Sequence, residues 1–253
     1  MKIAAVQHDI AWEDPATTRA SLVEPLARAA DAGATLALVT EMFATGFSMA
    51  AERISEPLDG PTTVWMHEQA HRSGMWIGGS IPTSRSGGRP QNVFTIVAPD
   101  GRVHRYAKLH PFSYAKEDQL YDAGDERMTL TIDGVRITPF VCYDLRFANA
   151  FWDMAGDTDC YVVVANWPES RREHWMALLR ARAIENQAYV VGVNRVGEGG
   201  GLSYSGDSRI IDPLGVELAT AHAIEALLVA DMDPEHVASV RSRFPFLNDR
   251  RAL

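Results

Sequence analysis

Short apolar runs alternate along this chain with segments whose apolar residues recur at helical spacing. The runs at 35–40, 160–165 and 189–194 are apolar along most of their length, which is typical of strands covered on both faces. Helical spacing occupies residues 61–74, opened by a proline, and residues from about 169 to 187. This alternation predicts a layered α/β domain with a mixed sheet system.

The first helix is predicted from a cap at Thr17 or Thr18 towards Ala32. Apolar residues at helical spacing lie between these points, and Gly33 is a stop signal. Pro25 lies inside the segment and lacks a backbone N–H donor, so a kink is expected there.

Two hairpins are predicted from turn composition. The stretches Asn92–Ala98 and Arg102–Ala107 flank a Pro-Asp-Gly turn. The stretches Ser208–Ile211 and Val216–Ala219 flank an Asp-Pro-Leu-Gly turn, and a further strand is expected at 226–230. Both patterns indicate antiparallel pairs within the mixed sheet system.

Composition limits the class of protein. The chain has 253 residues, is 46% hydrophobic, and shows no linker or repeat, so a single domain over 1–253 is expected. A net charge of −9 argues against nucleic acid as a partner. Two cysteines are too few for a disulfide framework. No apolar segment has the length of a signal-peptide core or a membrane span, so a cytoplasmic protein without a membrane partner is expected.

Three reactive side chains directly follow strand-like runs: Glu41, Lys108 and Cys142. Because ligands of α/β folds gather beyond the carboxyl ends of strands, these groups are expected to meet there. Lys108 is also followed by a long irregular stretch, 109–125, and loops of that length are commonly functional.

Such a trio has a definite chemical use. A free thiol is only a few per cent ionised near pH 7, so a nucleophilic Cys142 needs a base or a positive field beside it. Glu41 can serve as the base and Lys108 as the field. The ammonium and the backbone N–H of Tyr143 can then stabilise an oxyanion. This arrangement suits attack on a carbonyl or nitrile carbon.

Each residue taken alone also has a plainer interpretation. A cysteine in an apolar run is usually a small core residue, which is how Cys160 is interpreted. Glutamates and lysines are usually solvated surface charges. The eight histidines show no metal-ligand spacing, so neither a metal nor another cofactor is predicted.

Three ordered segments resemble the signature blocks of the nitrilase superfamily of carbon-nitrogen hydrolases. They are Glu41–Phe47, Tyr106–His110 and Val141–Phe147, and the similarity extends through Asn166–Pro168, Ala181–Gln187 and Gly192–Gly197. The resemblance covers the chain from residue 3 to about residue 250.

This resemblance implies a four-layer αββα sandwich and a homodimer. It also implies a triad of Glu41 as general base, Lys108 as oxyanion stabiliser and Cys142 as nucleophile. Glu117 matches a second glutamate that orients substrate and lysine; a solvated loop carboxylate is the alternative. Asp144 and Arg146 are expected to hold the turn after the nucleophile rather than to touch substrate.

Within the superfamily, the segments at 41–43, 166–168 and 174–175 are similar to omega-amidases acting on 2-oxoglutaramate and related 2-oxo acid amides. Their substrates carry a carboxylate, for which Arg171 is the candidate ligand. Its neighbour Arg172 is the competing choice. Phe43 and Trp167 are candidates for contacts with the apolar part of the substrate, with core packing as the alternative.

The reaction implied is hydrolysis of a small amide through a thioester on Cys142, with no cofactor. Two alternatives stay open: hydrolysis of nitriles or N-carbamoyl amino acids by the same triad, and a catalytically silent scaffold. The chain departs from the family pattern at Pro139 and Ala148, which puts the local backbone there in question.

Overall fold

The computed structural model describes residues 1–251. Within that range the strands are β1 (Lys2–Gln7), β2 (Leu36–Leu38), β3 (Trp76–Thr83), β4 (Gln91–Val97), β5 (Val103–Ala107), β6 (Leu130–Ile132), β7 (Val135–Val141), β8 (Cys160–Ala165), β9 (Tyr189–Asn194), β10 (Val196–Gly199), β11 (Leu202–Ile211), β12 (Glu217–His222) and β13 (Ala226–Asp231). The α-helices are α1 (Pro15–Ser21), α2 (Val23–Asp31), α3 (Ala51–Ile54), α4 (Pro61–Ser73), α5 (Glu117–Leu120), α6 (Ala148–Met154), α7 (Arg172–Asn186) and α8 (Pro234–Arg243). Short 3₁₀ helices cover Ser113–Ala115, Cys142–Arg146, Ala155–Asp157, Glu169–Arg171 and Phe246–Asp249.

The strands form two mixed sheets. The first has the order β13-β1-β2-β3-β4-β5, and the second has the order β10-β11-β9-β8-β7-β6 with β12 paired to β11. Parallel pairs lie at the centre of each sheet, for example β1 with β2 and β7 with β8. Antiparallel hairpins complete the edges.

The two sheets pack face to face, with helices on both outer sides. In β1, Ile3 and Ala5 belong to the core between the sheets, whereas Ala4 and Val6 belong to the core beneath α2 and α4. On the other side, α6 and α7 pack over the second sheet. The four-layer αββα architecture is therefore confirmed, and both faces of the central strands are buried as their apolar runs predicted.

The predicted first helix is interrupted. Two helices, α1 and α2, meet at Leu22, and Asp14 caps the first by accepting a hydrogen bond from the Thr17 N–H. The cap predicted at Thr17 or Thr18 is therefore wrong. Pro25 lies in the first turn of α2, where the missing N–H donor has no intrahelical partner to lose.

Pro139 lies within β7 without breaking it. Here β7 pairs with β8 on one side, while β6 pairs only with residues 135–137 on the other. The proline therefore stands beyond the end of the β6 ladder, where a donor is not needed. The strand remains regular up to Cys142.

The predicted hairpins are present, but the second sheet has a strand that the sequence pattern did not indicate. Strand β10 pairs with β11, which begins at Leu202 rather than at the predicted Ser208. Within residues 1–251 no helix has the length and apolarity needed to cross a membrane.

Candidate active site

The three reactive residues follow strands of both sheets. Glu41 follows the run of β2 and Lys108 follows β5 in the first sheet, whereas Cys142 follows β7 in the second. The packing of the sheets brings these strand ends together. The convergence expected from the sequence is therefore present in the fold.

Lys108 is the centre of a buried cluster of charges. Its Nζ donates to Glu41 Oε1 at 2.9 Å and to Glu117 Oε2 at 2.8 Å. The side chains of Lys108, Glu41 and Glu117 are 1%, 0% and 0% exposed. Glu117 is thus a buried partner of the lysine rather than a solvated loop carboxylate.

Neutral groups satisfy the remaining carboxylate oxygens. Asn92 Nδ2 donates to Glu41 Oε1 at 2.8 Å and to Glu117 Oε1 at 3.3 Å. The Asn166 N–H donates to Glu41 Oε2 at 2.9 Å, and the Phe112 N–H donates to Glu117 Oε2 at 2.5 Å. Buried charges require such partners, so the positions of both carboxylates are fixed without substrate.

The charge state of the cluster follows from these neighbours. Burial opposes the charge of Lys108, but the carboxylates of Glu117 and Glu41 outweigh it and raise its pKa, so the side chain stays an ammonium at neutral pH. Burial raises the pKa of Glu117, an effect that Lys108 opposes and the charge of Glu41 reinforces.

Cys142 occupies a strained turn at the end of β7. Its φ angle is 45°, in the left-handed region that non-glycine residues rarely adopt. The chain then enters the 3₁₀ helix Cys142–Arg146. The first amides of a helix lack intrahelical acceptors, so the Tyr143 N–H is available beside the thiol.

The environment of Cys142 keeps its sulfur protonated at rest. Burial raises the pKa of the thiol well above its usual value, and the charge of Glu41 raises it further, against the opposing effect of Lys108. The side chain is still partly exposed and lines a pocket. A nucleophilic thiolate therefore needs a neighbouring base to remove the proton.

Asp144 joins the nucleophile turn to the segment that carries Lys108. Its buried carboxylate accepts hydrogen bonds from the Val141 N–H at 3.0 Å and the Tyr106 hydroxyl at 2.8 Å. It also accepts from the His110 N–H at 2.9 Å and contacts His110 Nδ1 at 2.8 Å. One carboxylate thus fixes both sides of the centre, as expected for a residue that holds the turn.

A cavity of about 590 Å³ opens over Cys142, within the usual range for small-molecule sites. Its aromatic and apolar lining carries two arginines and, among residues 1–251, no carboxylate. The lining residues are Trp12, Phe47, Met49, Phe112, Tyr114, Ala115, Cys142, Tyr143, Arg146, Asn166, Trp167, Pro168, Ser170, Arg171, Gly199, Gly200, Leu202 and Tyr204.

The residues predicted for substrate contacts separate into two groups. Trp167 and Arg171 line the cavity. Phe43 does not: it is fully buried in the core beneath α4, with its ring 5.9 Å from that of Trp65. Core packing, the alternative considered for Phe43, is what the structure shows.

The structure also separates Arg171 from Arg172. Arg172 donates from Nε and Nη2 to the two oxygens of Asp207, at 3.0 and 2.6 Å. Arg171 lies 5.6 Å from the ring centre of Phe112 and has no ion pair within residues 1–251. Of these two neighbours, Arg171 is therefore the one whose guanidinium can bind a ligand in the cavity.

Sequence reasoning missed or misassigned much of the lining, including Arg146, Trp12 and Tyr204. Arg146 was expected only to hold the turn, yet it lies over the Trp167 ring at 4.7 Å and lines the cavity. Trp12 and Tyr204 come from a loop and a strand far from the signature blocks. The glycine-rich segment at 197–201 was the one local signal that a turn approaches something closely there.

Histidine, cysteine and carboxylate side chains within residues 1–251 form no group with the arrangement of a metal site. The charged partner of both glutamates at the centre is the lysine ammonium. What the arrangement offers chemically is a base, a cation and a thiol beside an accessible cavity.

Comparison with known proteins identifies the same kind of chemistry. The profile of the family described as carbon-nitrogen hydrolase matches residues 2–242. The omega-amidase YafV of Escherichia coli (strain K12) is 40% identical over 255 residues, which cover 98% of this chain and 96% of that protein. The 2-oxoglutaramate amidase of Bacillus subtilis (strain 168) is 29% identical over 257 residues, covering 98% and 97%.

A solved structure shares both the fold and much of the sequence. It is XC1258 from Xanthomonas campestris, a CN-hydrolase superfamily protein with an arsenic adduct in its active site. The two structures superpose with a TM-score of 0.93 at 38% identity, covering 100% of this chain and 98% of XC1258.

Proposed function

Because the chain belongs to the carbon-nitrogen hydrolase family, we propose that it is an omega-amidase releasing ammonia from 2-oxoglutaramate or a similar 2-oxo acid omega-amide. The observation that carries this proposal is the meeting of Glu41, Lys108 and Cys142 beneath a cavity whose two arginines form no ion pair with residues 1–251. Relatives named for these activities support the substrate class.

The charge of the cavity fits such a substrate. Arg146 and Arg171 face it without a carboxylate from residues 1–251, although the whole chain carries a net charge of −9. A guanidinium binds a carboxylate through two parallel hydrogen bonds. Arg146 lies over the Trp167 ring and contacts His174 Nδ1 at 3.2 Å, so Arg171 is assigned to the substrate carboxylate and Trp167 to its aliphatic part.

The first half of the reaction forms a thioester. Glu41 takes the proton of the Cys142 thiol, and the sulfur attacks the amide carbonyl carbon. Lys108 and the Tyr143 N–H stabilise the negative oxygen of the tetrahedral intermediate. Protonated Glu41 gives its proton to the nitrogen, the carbon–nitrogen bond breaks, and ammonia leaves.

The second half of the reaction restores the enzyme. Glu41 removes a proton from water, which attacks the thioester carbonyl, and the same two donors stabilise the second tetrahedral intermediate. The carbon–sulfur bond then breaks, the thiol regains its proton, and the carboxylic acid leaves. Glu117 acts through Lys108, because its carboxylate holds the ammonium at 2.8 Å.

Two measurements on the purified protein test this function. Ammonia release is measured with 2-oxoglutaramate, a simple nitrile and an N-carbamoyl amino acid. Intact-protein mass spectrometry after brief exposure to 2-oxoglutaramate and acid quenching should show an acyl adduct, which peptide mapping should place on Cys142. Rapid turnover of the nitrile or carbamoyl compound without turnover of 2-oxoglutaramate would replace the omega-amidase assignment, and no turnover of any of them would favour a scaffold.

The remaining proposals concern the molecule as a whole. The family match over residues 2–242 supports a single catalytic domain over 1–253, which we propose to be cytoplasmic. An apolar surface patch is formed by Ile184 of α7 and three residues at the start of the neighbouring β11–β12 connection and β12, Leu214, Val216 and Leu218. These four side chains are 46–56% exposed. We propose that this apolar patch contributes to a homodimer, and sedimentation equilibrium of the wild type against V216D tests it.

A further inference from the structure

The β10–β11 hairpin forms one wall of the cavity. Gly199, Gly200, Leu202 and Tyr204 all lie on it and line the cavity. A Cβ atom on either of these glycines would meet the ring of Trp12 at 2.7 Å. The absence of side chains there lets the hairpin lie directly against Trp12, which lines the same cavity.

A buried arginine anchors this hairpin from behind. The side chain of Arg195 is fully buried, and its Nη2 donates to Asp9 Oδ1 at 2.6 Å and to the Glu198 carbonyl at 2.9 Å. Its guanidinium lies 4.6 Å from the ring centre of Tyr204, within the range of a cation–π contact. The Tyr204 ring is thus fixed between the anchored guanidinium and the cavity.

The hydroxyl of Tyr204 has no hydrogen-bond partner among residues 1–251. Three other buried tyrosines donate to an oxygen of the chain: Tyr106 to Asp144, Tyr121 to the Ser48 carbonyl and Tyr161 to the Phe151 carbonyl. Tyr204 is only 6% exposed, yet its Oη makes no hydrogen bond to any residue of 1–251. Tyr204 lines the cavity, and its Oη is not among the fully enclosed unpaired atoms of residues 1–251. The hydroxyl is therefore open to the cavity and can donate to a ligand there.

The surroundings define what kind of ligand group the hydroxyl meets. Burial raises the pKa of Tyr204 to about 12, so the side chain is a neutral donor at working pH. Arg171, the arginine assigned to the substrate carboxylate, lines the same cavity. A hydroxyl donor that shares a cavity with that guanidinium can bind the same anionic oxygen acceptor.

We propose that Tyr204 is a specificity-determining residue whose hydroxyl donates a hydrogen bond to the substrate carboxylate held by Arg171. The inference rests on the proposed function, since it assumes an amide substrate with a carboxylate at its far end. It adds a second, neutral ligand for that carboxylate from a segment that carries none of the signature blocks.

The test compares Y204F with the wild type on three amides of similar length. Two carry a carboxylate, 2-oxoglutaramate and glutaramate, and butyramide carries none. Losing one hydrogen bond to a charged group should lower kcat/KM for both carboxylate-bearing amides about 10- to 100-fold, mainly through KM. The value for butyramide should stay unchanged. Y189F, a substitution of the same kind outside the cavity, should retain the wild-type preference.

A binding measurement checks the same inference without turnover. Glutarate carries the carboxylate but no amide, so its Kd should rise about 10-fold or more in Y204F, in calorimetry on protein with an unchanged melting temperature. If Y204F does not fold, Y204M replaces it, since its smaller, flexible apolar side chain occupies the same space without a hydroxyl donor and should give the same loss.

The outcomes separate the two proposals. A wild-type enzyme that turns over neither carboxylate-bearing amide contradicts the omega-amidase function itself. An active wild type whose preference and glutarate Kd are unchanged by Y204F overturns the role of Tyr204. Equal losses on butyramide and glutaramate also overturn it, because they show that the ring only supports the shape of the cavity.

Discussion

The buried reaction centre and the cavity above it differ in how their polar groups are satisfied. At the centre, Glu41, Lys108 and Glu117 are at most 1% exposed, and their charges are paired with one another and with nearby amides. In the cavity, the guanidinium of Arg171 forms no ion pair and the hydroxyl of Tyr204 forms no hydrogen bond with residues 1–251.

This difference separates chemistry from selection. Polar groups that are already oriented need little reorganisation when charge develops on the oxyanion. Groups without protein partners gain theirs from the ligand, and an analogue lacking the matching group is rejected because they then stay unpaired. Changes at the centre should therefore lower kcat for every amide, whereas changes in the cavity should alter the preference among amides.

The largest effect is expected from the nucleophile. C142A should lower kcat by at least about 10⁴-fold, since no other group can form the thioester. C160A is the matched control, because Cys160 is fully buried in β8 and touches only core residues. Ammonia release from 2-oxoglutaramate and the mass of the quenched protein measure both.

C160A should still form the acyl adduct and retain most of the wild-type activity. Its melting temperature should be lower, because the substitution leaves a small cavity in the core. Appreciable turnover by C142A would contradict the thioester mechanism. Loss of the adduct in C160A alone would show that the wrong cysteine has been assigned.

The next effect concerns the second glutamate. E117Q keeps the shape of the side chain but removes the charge that holds Lys108 at 2.8 Å. We expect kcat to fall about 10²- to 10³-fold for carboxylate-bearing and neutral amides alike, because a displaced Lys108 no longer stabilises the oxyanion and loss of one such donor costs about that much. Steady-state kinetics on 2-oxoglutaramate and butyramide measure it, and an effect confined to KM for one of them would move Glu117 from the centre to the cavity.

The sequence predicts the centre far better than the cavity. Glu41, Lys108 and Cys142 each follow a strand-like run and lie in ordered signature blocks, so local pattern and family resemblance agree. Tyr204 and Trp12 lie far from one another in sequence and meet only through the packing of the β10–β11 hairpin. Phe43 follows Glu41 closely, but it lies in the turn after β2 with its side chain packed into the core, which adjacency in sequence does not reveal.

A smaller effect is expected on folding stability, from His8, which contacts the residue before Glu41. His8 is 3% exposed, and its Nε2 lies 3.0 Å from the Oγ1 of Thr40, the residue before Glu41. Burial lowers the pKa of His8 from 6.5 to about 4, so the folded protein keeps the imidazole neutral while the unfolded chain takes up a proton. The stabilisation from this group is present above about pH 6.5 and is lost as the pH falls towards about 4, amounting to about 3 kcal/mol.

Comparison with H8N isolates this component. Urea unfolding at pH 7 and at pH 4 should show that the wild type loses about 3 kcal/mol more stability than H8N over that interval. Equal losses in the two proteins would mean that His8 does not titrate as its burial requires. A fall in H8N activity at pH 7 would further show that the contact with Thr40 helps to position Glu41.

The smallest effect comes from two neighbouring arginines, and it tests the comparison most directly. R171Q should lower kcat/KM for 2-oxoglutaramate about 30-fold, through KM, and leave butyramide unchanged, because only the first substrate offers a carboxylate. R172Q should do the reverse: it breaks the paired contacts with Asp207 at 3.0 and 2.6 Å, which should lower the melting temperature and leave the preference intact. Substrate preference and melting temperature, measured on both variants, therefore distinguish a ligand-binding arginine from a structural one. If R172Q alone changed the preference, the carboxylate site would belong to Arg172, and the cavity would bind its substrate through a group that already has a protein partner.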